Sequence, residues 1–212
     1  MPRTLVLLMM LALPASLGAQ TRSTSAYVVA QNGREVGKER LTLDAPGPGP
    51  ASRRIRVSAS TLTGRRSEAV LSRDAEGRFD ALQMEFTDSA GTEIMRAGIR
   101  GNRLIVTSSG PTGYRTRELP VSDNVVPLDE GMHSLLYIAA RQATLAGRAL
   151  TGLFLRTGRQ ARFTATRRDM GSRGSAVDFQ GDISGRMLLD ADGGMLRLDV
   201  HSQGISLSPL PR

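Results

Sequence analysis

Apolar and polar residues alternate along most of this chain, and that two-residue period limits the fold more than any other feature. Ile55, Val57 and Ala59 interleave with Arg54, Arg56 and Ser58. Leu82, Met84 and Phe86 interleave with Gln83 and Glu85. Successive side chains of a β-strand point to opposite faces, so each such segment has one buried and one wet face. Turn signals interrupt the alternation about every 8–12 residues, the rhythm of an antiparallel sheet or barrel. Asn32-Gly33 and Gly101-Asn102 are the clearest of these, because their residue types tolerate the positive φ of tight hairpins. Ala45 to Pro50 holds three prolines, each lacking a ladder donor, and reads as a loop inserted in the sheet.

The alternation breaks once. After Pro127-Leu128-Asp129-Glu130, the segment Gly131 to Ala143 carries Met132, Leu135, Leu136, Ala139, Ala140 and Ala143 at three- and four-residue spacing. This is a helical pattern. Asp129 is the expected N-cap, since a carboxylate there can accept the first unpaired amides. Tyr137 and Ile138 make the helix apolar nearly all round, so it must be covered on most sides. A sheet of ten or more strands curls. The expected fold is therefore mainly β: a large curved antiparallel sheet, a half-barrel, wrapped around a single apolar helix. The last residues, Leu207-Ser208-Pro209-Leu210-Pro211-Arg212, read as broken by proline rather than as a strand ending in an aromatic residue.

The N-terminus sets a compartment. Met1-Pro2-Arg3, an apolar run from Thr4 to Leu13, and small residues ending at Ala19 form the pattern of a secretory signal peptide. The run is about half of the roughly 20 residues a membrane-spanning helix needs. The expected organisation is a signal peptide over residues 1–19 and one β-rich domain over 20–212, in the periplasm or secreted. The chain has no cysteine, which excludes disulfides, thiolate metal sites and an acylated N-terminal cysteine anchor. Strand count alone would also suit a transmembrane barrel. Such barrels carry aromatic girdles at both interfaces. Here aromatics are 4% of residues and tryptophan is absent.

Net charge is +8, and all but one of the 28 basic residues are arginine, the exception being Lys38. The arginines are spread along the strands, with no basic run of five or six. A solvated face is the simpler reading; peripheral contact with an anionic membrane is the expected partner if the charge is used. Few aromatics are present for base stacking, so nucleic acid is not expected.

Catalytic motifs are not found. His133 and His201 stand far apart in sequence, and no serine sits in a nucleophile elbow. His133 and Ser134 are helical neighbours whose side chains diverge by about 100°. Asp190-Ala191-Asp192-Gly193 resembles the start of a calcium loop but lacks its further oxygen ligands, and reads as a β-turn. No cofactor is expected.

The opening Tyr27-Val28-Val29, Asn32-Gly33 and Val36-Gly37-Lys38-Glu39, the mid-chain Pro-Leu before an apolar helix, and the final Asp-x-Asp-Gly hairpin resemble a broad class of secreted bacterial proteins of unknown function. That class is similar in architecture to the lipoprotein carriers LolA, LolB and RseB. The resemblance implies a half-closed sheet over helix with an apolar cavity, and it assigns no functional residue.

The expected function is non-enzymatic binding of a lipid or other apolar small molecule between sheet and helix. Alternation and helical spacing point Ile55, Val57, Leu82, Met84, Phe86, Leu135, Leu136, Phe163 and Phe179 inward as candidate cavity lining, or equally as plain core. The alternatives are a structural or interaction protein of the cell envelope, and a hydrolase assembled from residues distant in sequence.

Overall fold

A computed structural model describes residues 23–43, 54–74, 78–122 and 124–211. Residues 1–19, read above as a signal peptide, the Ala45–Pro50 segment read as a loop, and residues 75–77 lie outside the described residues. The first arm of the sheet is a meander: β1 (Ser23–Gln31), β2 (Arg34–Leu43), β3 (Arg54–Thr61), β4 (Arg66–Arg73), β5 (Phe79–Asp88), β6 (Gly91–Arg100), β7 (Arg103–Gly110) and β8 (Gly113–Pro120). Then come the short β9 (Val125–Leu128), a 3₁₀ turn (His133–Leu136) and α1 (Tyr137–Gln142). The second arm is β10 (Arg148–Phe154), β11 (Gln160–Asp169), β12 (Ser175–Gly181), β13 (Gly185–Leu189), β14 (Met195–Val200) and β15 (Ile205–Pro209).

All fifteen strands form one sheet, ordered β8-β7-β6-β5-β4-β3-β2-β1-β15-β14-β13-β12-β11-β10-β9. Every pairing is antiparallel except β9 with β10. A parallel pair needs a long crossover. Here the crossover is the segment that holds the 3₁₀ turn and α1, which places both on the concave face. Met132, Leu135, Leu136, Tyr137, Ile138, Ala139 and Ala140 are all at most 4% exposed. The all-round apolar helix is thus enclosed by the sheet, as the pattern demanded.

Topology also shows how far the sheet curls. Laid flat, fifteen strands would separate β8 from β9 by roughly 67 Å. These two edge strands are consecutive in the chain, and residues 121–124 between them can reach only about 17 Å. The two edges must therefore approach one another, and the sheet is a nearly closed cup. The seam is held by side chains. Arg117 of β8 donates from Nη2 to the carbonyls of Leu155 and Arg156, just past β10. Nearby, the Arg156 guanidinium lies 4.7 Å from the centre of the Phe86 ring on β5.

Two expectations are corrected. The C-terminal segment forms β15 despite its prolines. It pairs with β1 in a register running from Tyr27 with Pro209 to Gln31 with Ile205. Pro209 stands at the strand's end, where a missing donor costs least. A 3₁₀ turn at His201–Gln203 and Gly204 in the left-handed region (φ 63°) separate β15 from β14. The helix also begins later than Gly131. Met132 is not helical (φ −135°, ψ 79°), the first turn is 3₁₀, and Asp129 is not its cap.

Candidate functional site

A cleft of about 530 Å³ opens on the concave face at one end of the cup. Its sheet wall is made by Val29 and Gln31 of β1, Val36, Gly37 and Glu39 of β2, and Ala59 and Thr61 of β3. The helix lead-in supplies Glu130, Gly131 and His133; Arg159, Gln203 and Ile205 close the remaining side. Gly37 is needed where it stands: a Cβ there would lie 2.3 Å from the Ser60 carbonyl oxygen, so only glycine lets β2 and β3 coil this tightly. A register shift between Val29 and Ala30 adds to the bend.

Glu39 is the central residue. It occupies an inward position between Gly37 and Leu41, with Lys38 and Arg40 on the outer face. Its side chain is only 1% exposed. A buried carboxylate is costly unless hydrogen-bonded, and this one is fully engaged. Oε1 accepts the His133 backbone N–H at 2.9 Å and lies 2.9 Å from His133 Nδ1. Oε2 accepts the Ser134 N–H at 2.8 Å and, in a short hydrogen bond, the Ser134 hydroxyl. The carboxylate thus caps the 3₁₀ turn from another element, satisfying amides that have no partner within the turn.

The same contact fixes His133. An ionised carboxylate only accepts, so Nδ1 is the donor in this contact, and Nε2 is left free of Glu39. The imidazole is 11% exposed and forms part of the cleft wall. Ser134 is fully buried, and its hydroxyl is committed to Glu39 and not to His133. The two side chains do not bond one another; both reach the carboxylate of a third residue that local sequence rules do not connect to them.

Asp129 does a different job from the one expected. Oδ1 accepts the Gly131 N–H at 2.8 Å, and Oδ2 lies 2.9 Å from Arg156 Nε. It shapes the turn before the helix and ties it to the seam. Glu130 and Arg159 approach to 3.6 Å at the cleft rim, and the Arg159 guanidinium lies 3.6 Å from the centre of the Phe154 ring.

The nine candidate lining residues all lie in one packed core. Ile55, Val57, Leu82, Met84, Phe86, Leu135, Leu136, Phe163 and Phe179 are each at most 6% exposed, and none lines this cleft. Phe163 and Phe179 meet edge to face, 6.0 Å between centroids. His201 is exposed on the turn before β15. Asp190 makes a β-turn: its carbonyl accepts the Gly193 N–H at 3.1 Å and Oδ1 accepts the Gly194 N–H at 2.7 Å. No group of three or more potential metal ligands occurs among the described residues. The readable signal for Glu39 was its place: an acidic residue at the buried register of a strictly alternating strand.

Fold and cleft together define a β-barrel-like cup with a mouth of mixed polar and apolar lining over a packed apolar core. No protein-family model matches the chain, and no curated protein matches it. Solved structures do. One is the crystal structure of a β-barrel-like protein, a domain of unknown function (DUF1849) from Brucella abortus. It is 11% identical over 90% of this chain and 94% of its own, with a TM-score of 0.50. Another is a DUF1089 family protein from Pseudomonas aeruginosa, 12% identical over 92% and 98% of the two chains, with a TM-score of 0.43. At 11% identity the likeness to the first is one of fold alone.

Proposed function

We propose that this is an exported, non-enzymatic binding protein whose ligand sits in the cleft at the mouth of the cup. The observation that carries the reading is a concave opening whose wall includes a histidine held in one orientation by a buried carboxylate. Its volume falls within the range of small-molecule sites, roughly 300–1,000 Å³. Val29, Val36, Ala59 and Ile205 offer apolar surface to the ligand; His133, Arg159, Gln31 and Gln203 offer hydrogen bonds and charge. An amphipathic molecule suits this mixture better than a bare hydrocarbon. This moves the site from the core residues to the mouth above them. It keeps the lipid-like ligand suggested by the resemblance to lipoprotein carriers. Native mass spectrometry with solvent extraction of the protein from its expression host tests it. A co-purifying amphiphile that is lost in His133→Ala and in Ala59→Trp supports the reading. Ligand-free protein that takes up no acyl or amphiphilic probe refutes it.

The Glu39–His133 pair favours one second reading, a hydrolase. A carboxylate-oriented imidazole is the base half of a nucleophilic site. Ser134 cannot complete it, because its hydroxyl is given to Glu39. Turnover of an ester, peptide or glycoside substrate that is abolished by His133→Ala would establish this reading in place of the first.

A further inference from the structure

We infer that the outer face of β2, β3 and β4 is a docking surface for an anionic phospholipid bilayer, with Leu62 as its apolar tip. The alternation that turns Glu39 inward turns Lys38 and Arg40 outward. On β4 the outward residues are Arg66 and Glu68. Pairing sets Lys38 beside Ser60 and Ser60 beside Arg66; in the next row Arg40 lies beside Ser58 and Ser58 beside Glu68. Strand spacing and rise place these four charged residues at the corners of a patch about 7 by 10 Å, with two serine hydroxyls along its middle. The patch is a groove of about 300 Å³. Lys38, Arg40 and Arg66 are exposed and form no ion pair among the described residues, unlike the arginines around Asp178.

Three unneutralised cations and two hydroxyls make a site for a phosphate group, which arginine forks and a lysine ammonium both recognise. Two further facts select a lipid surface as the source of that phosphate. The groove is open, not enclosed. The β3–β4 turn next to it carries Leu62, 68% exposed and followed by Arg65, which lies 3.8 Å from Asp88, and by Arg66 of the patch itself. An exposed leucine flanked by cations is suited to the interface between headgroups and acyl chains. Leu62 is also anchored: its N–H donates to the Val36 carbonyl at 3.0 Å, and Val36 is part of the cleft wall. The Glu68 carboxylate opposes an anion and makes a sign test available.

Flotation of the purified protein with phosphatidylglycerol-containing vesicles tests this, with pure phosphatidylcholine vesicles as reference. Each cation removed should weaken binding roughly fivefold, so Lys38→Gln/Arg40→Gln/Arg66→Gln should lose about 100-fold. Arg100→Gln/Arg115→Gln/Arg173→Gln removes the same charge from exposed sites elsewhere and should stay close to the unmutated protein. Leu62→Ser should weaken binding about tenfold, and Glu68→Gln should tighten it about fivefold. Equal loss in the two triple variants, or no preference for the anionic vesicles, would overturn the docking surface. Displacement by inorganic phosphate beyond that by chloride at matched ionic strength would overturn the lipid source in favour of a free phosphate.

Discussion

Replacing Glu39 by alanine should destabilise the protein more than any change at its surface. The carboxylate accepts from two backbone N–H groups, the Ser134 hydroxyl and the His133 ring. Alanine leaves the Ser134 amide and hydroxyl in a site with no exposure. An orphaned buried donor costs about 1–3 kcal/mol, and a hydrogen bond to a charged group contributes about 1.5–3 kcal/mol. The His133 groups stand beside the cleft and can be rehydrated, so their loss counts for less. The expected total is about 3–5 kcal/mol, the range for breaking a buried charged contact. For a domain of this size that is roughly 6–20 °C in Tm. Urea unfolding followed by circular dichroism reads it, with the m-value checked for constancy. Glu39→Gln keeps the shape but turns one acceptor into a donor facing an N–H, so about half the loss should remain. Ser134→Ala should cost about 1.5–3 kcal/mol, since it removes one hydrogen bond to the charged Glu39 carboxylate and leaves the other three. A loss below about 1 kcal/mol in Glu39→Ala would refute the cap and, with it, the fixed orientation of His133.

Three further outcomes follow from contacts elsewhere. Burial alone would raise the Asp178 pKa, but hydrogen bonds and charge from Arg186 and Arg168 outweigh it and hold the carboxyl below its usual range. Its contribution is present above the unfolded value, about 3.9, and lost as pH falls through the lower folded one; the stability gap to Asp178→Asn should therefore close in acid unfolding curves. Burial pushes the Tyr27 phenol up, with its O–H donating to the Met195 carbonyl at 2.6 Å. That contribution holds below about pH 10 and is lost as pH rises through the folded value, so Tyr27→Phe should flatten the alkaline limb of stability measured by fluorescence or circular dichroism. Arg117→Ala should cost about 1–3 kcal/mol and speed amide exchange in β8 and β9 ahead of the rest of the sheet, because it removes the seam's hydrogen bonds. Uniform exchange across the sheet would contradict that role.

Much of the sheet was legible because one face is dry and the other wet, as in β3 and β5. Elements escaped where that contrast fails. All four residues of β9 are buried, so Val125-Val126-Pro127-Leu128 shows no alternation and reads as a lead-in to the helix. In β15 the prolines mask a short strand whose pairing is set by β1, at the far end of the chain. The cleft was the least legible part. Its key contact joins Glu39 to residues 94 and 95 positions away, and capping rules look only at neighbours. Inward-pointing residues were identified as such. The step from inward to cavity-lining was not available, since close packing and an open cavity leave the same period in a sequence.

The pairing of β1 with β15 has a consequence for how the chain is made. Neighbouring strands within each arm are close in sequence, so each arm can form by local zippering as the polypeptide emerges. Between the arms, the ladder is continuous only where the first strand meets the last. A chain synthesised from its N-terminus therefore holds a finished first arm with β1 as a bare edge until the final segment arrives. Loss of β15 would leave nearly every hairpin intact and still open the cup down its middle. Closure of the sheet rests on that one short strand.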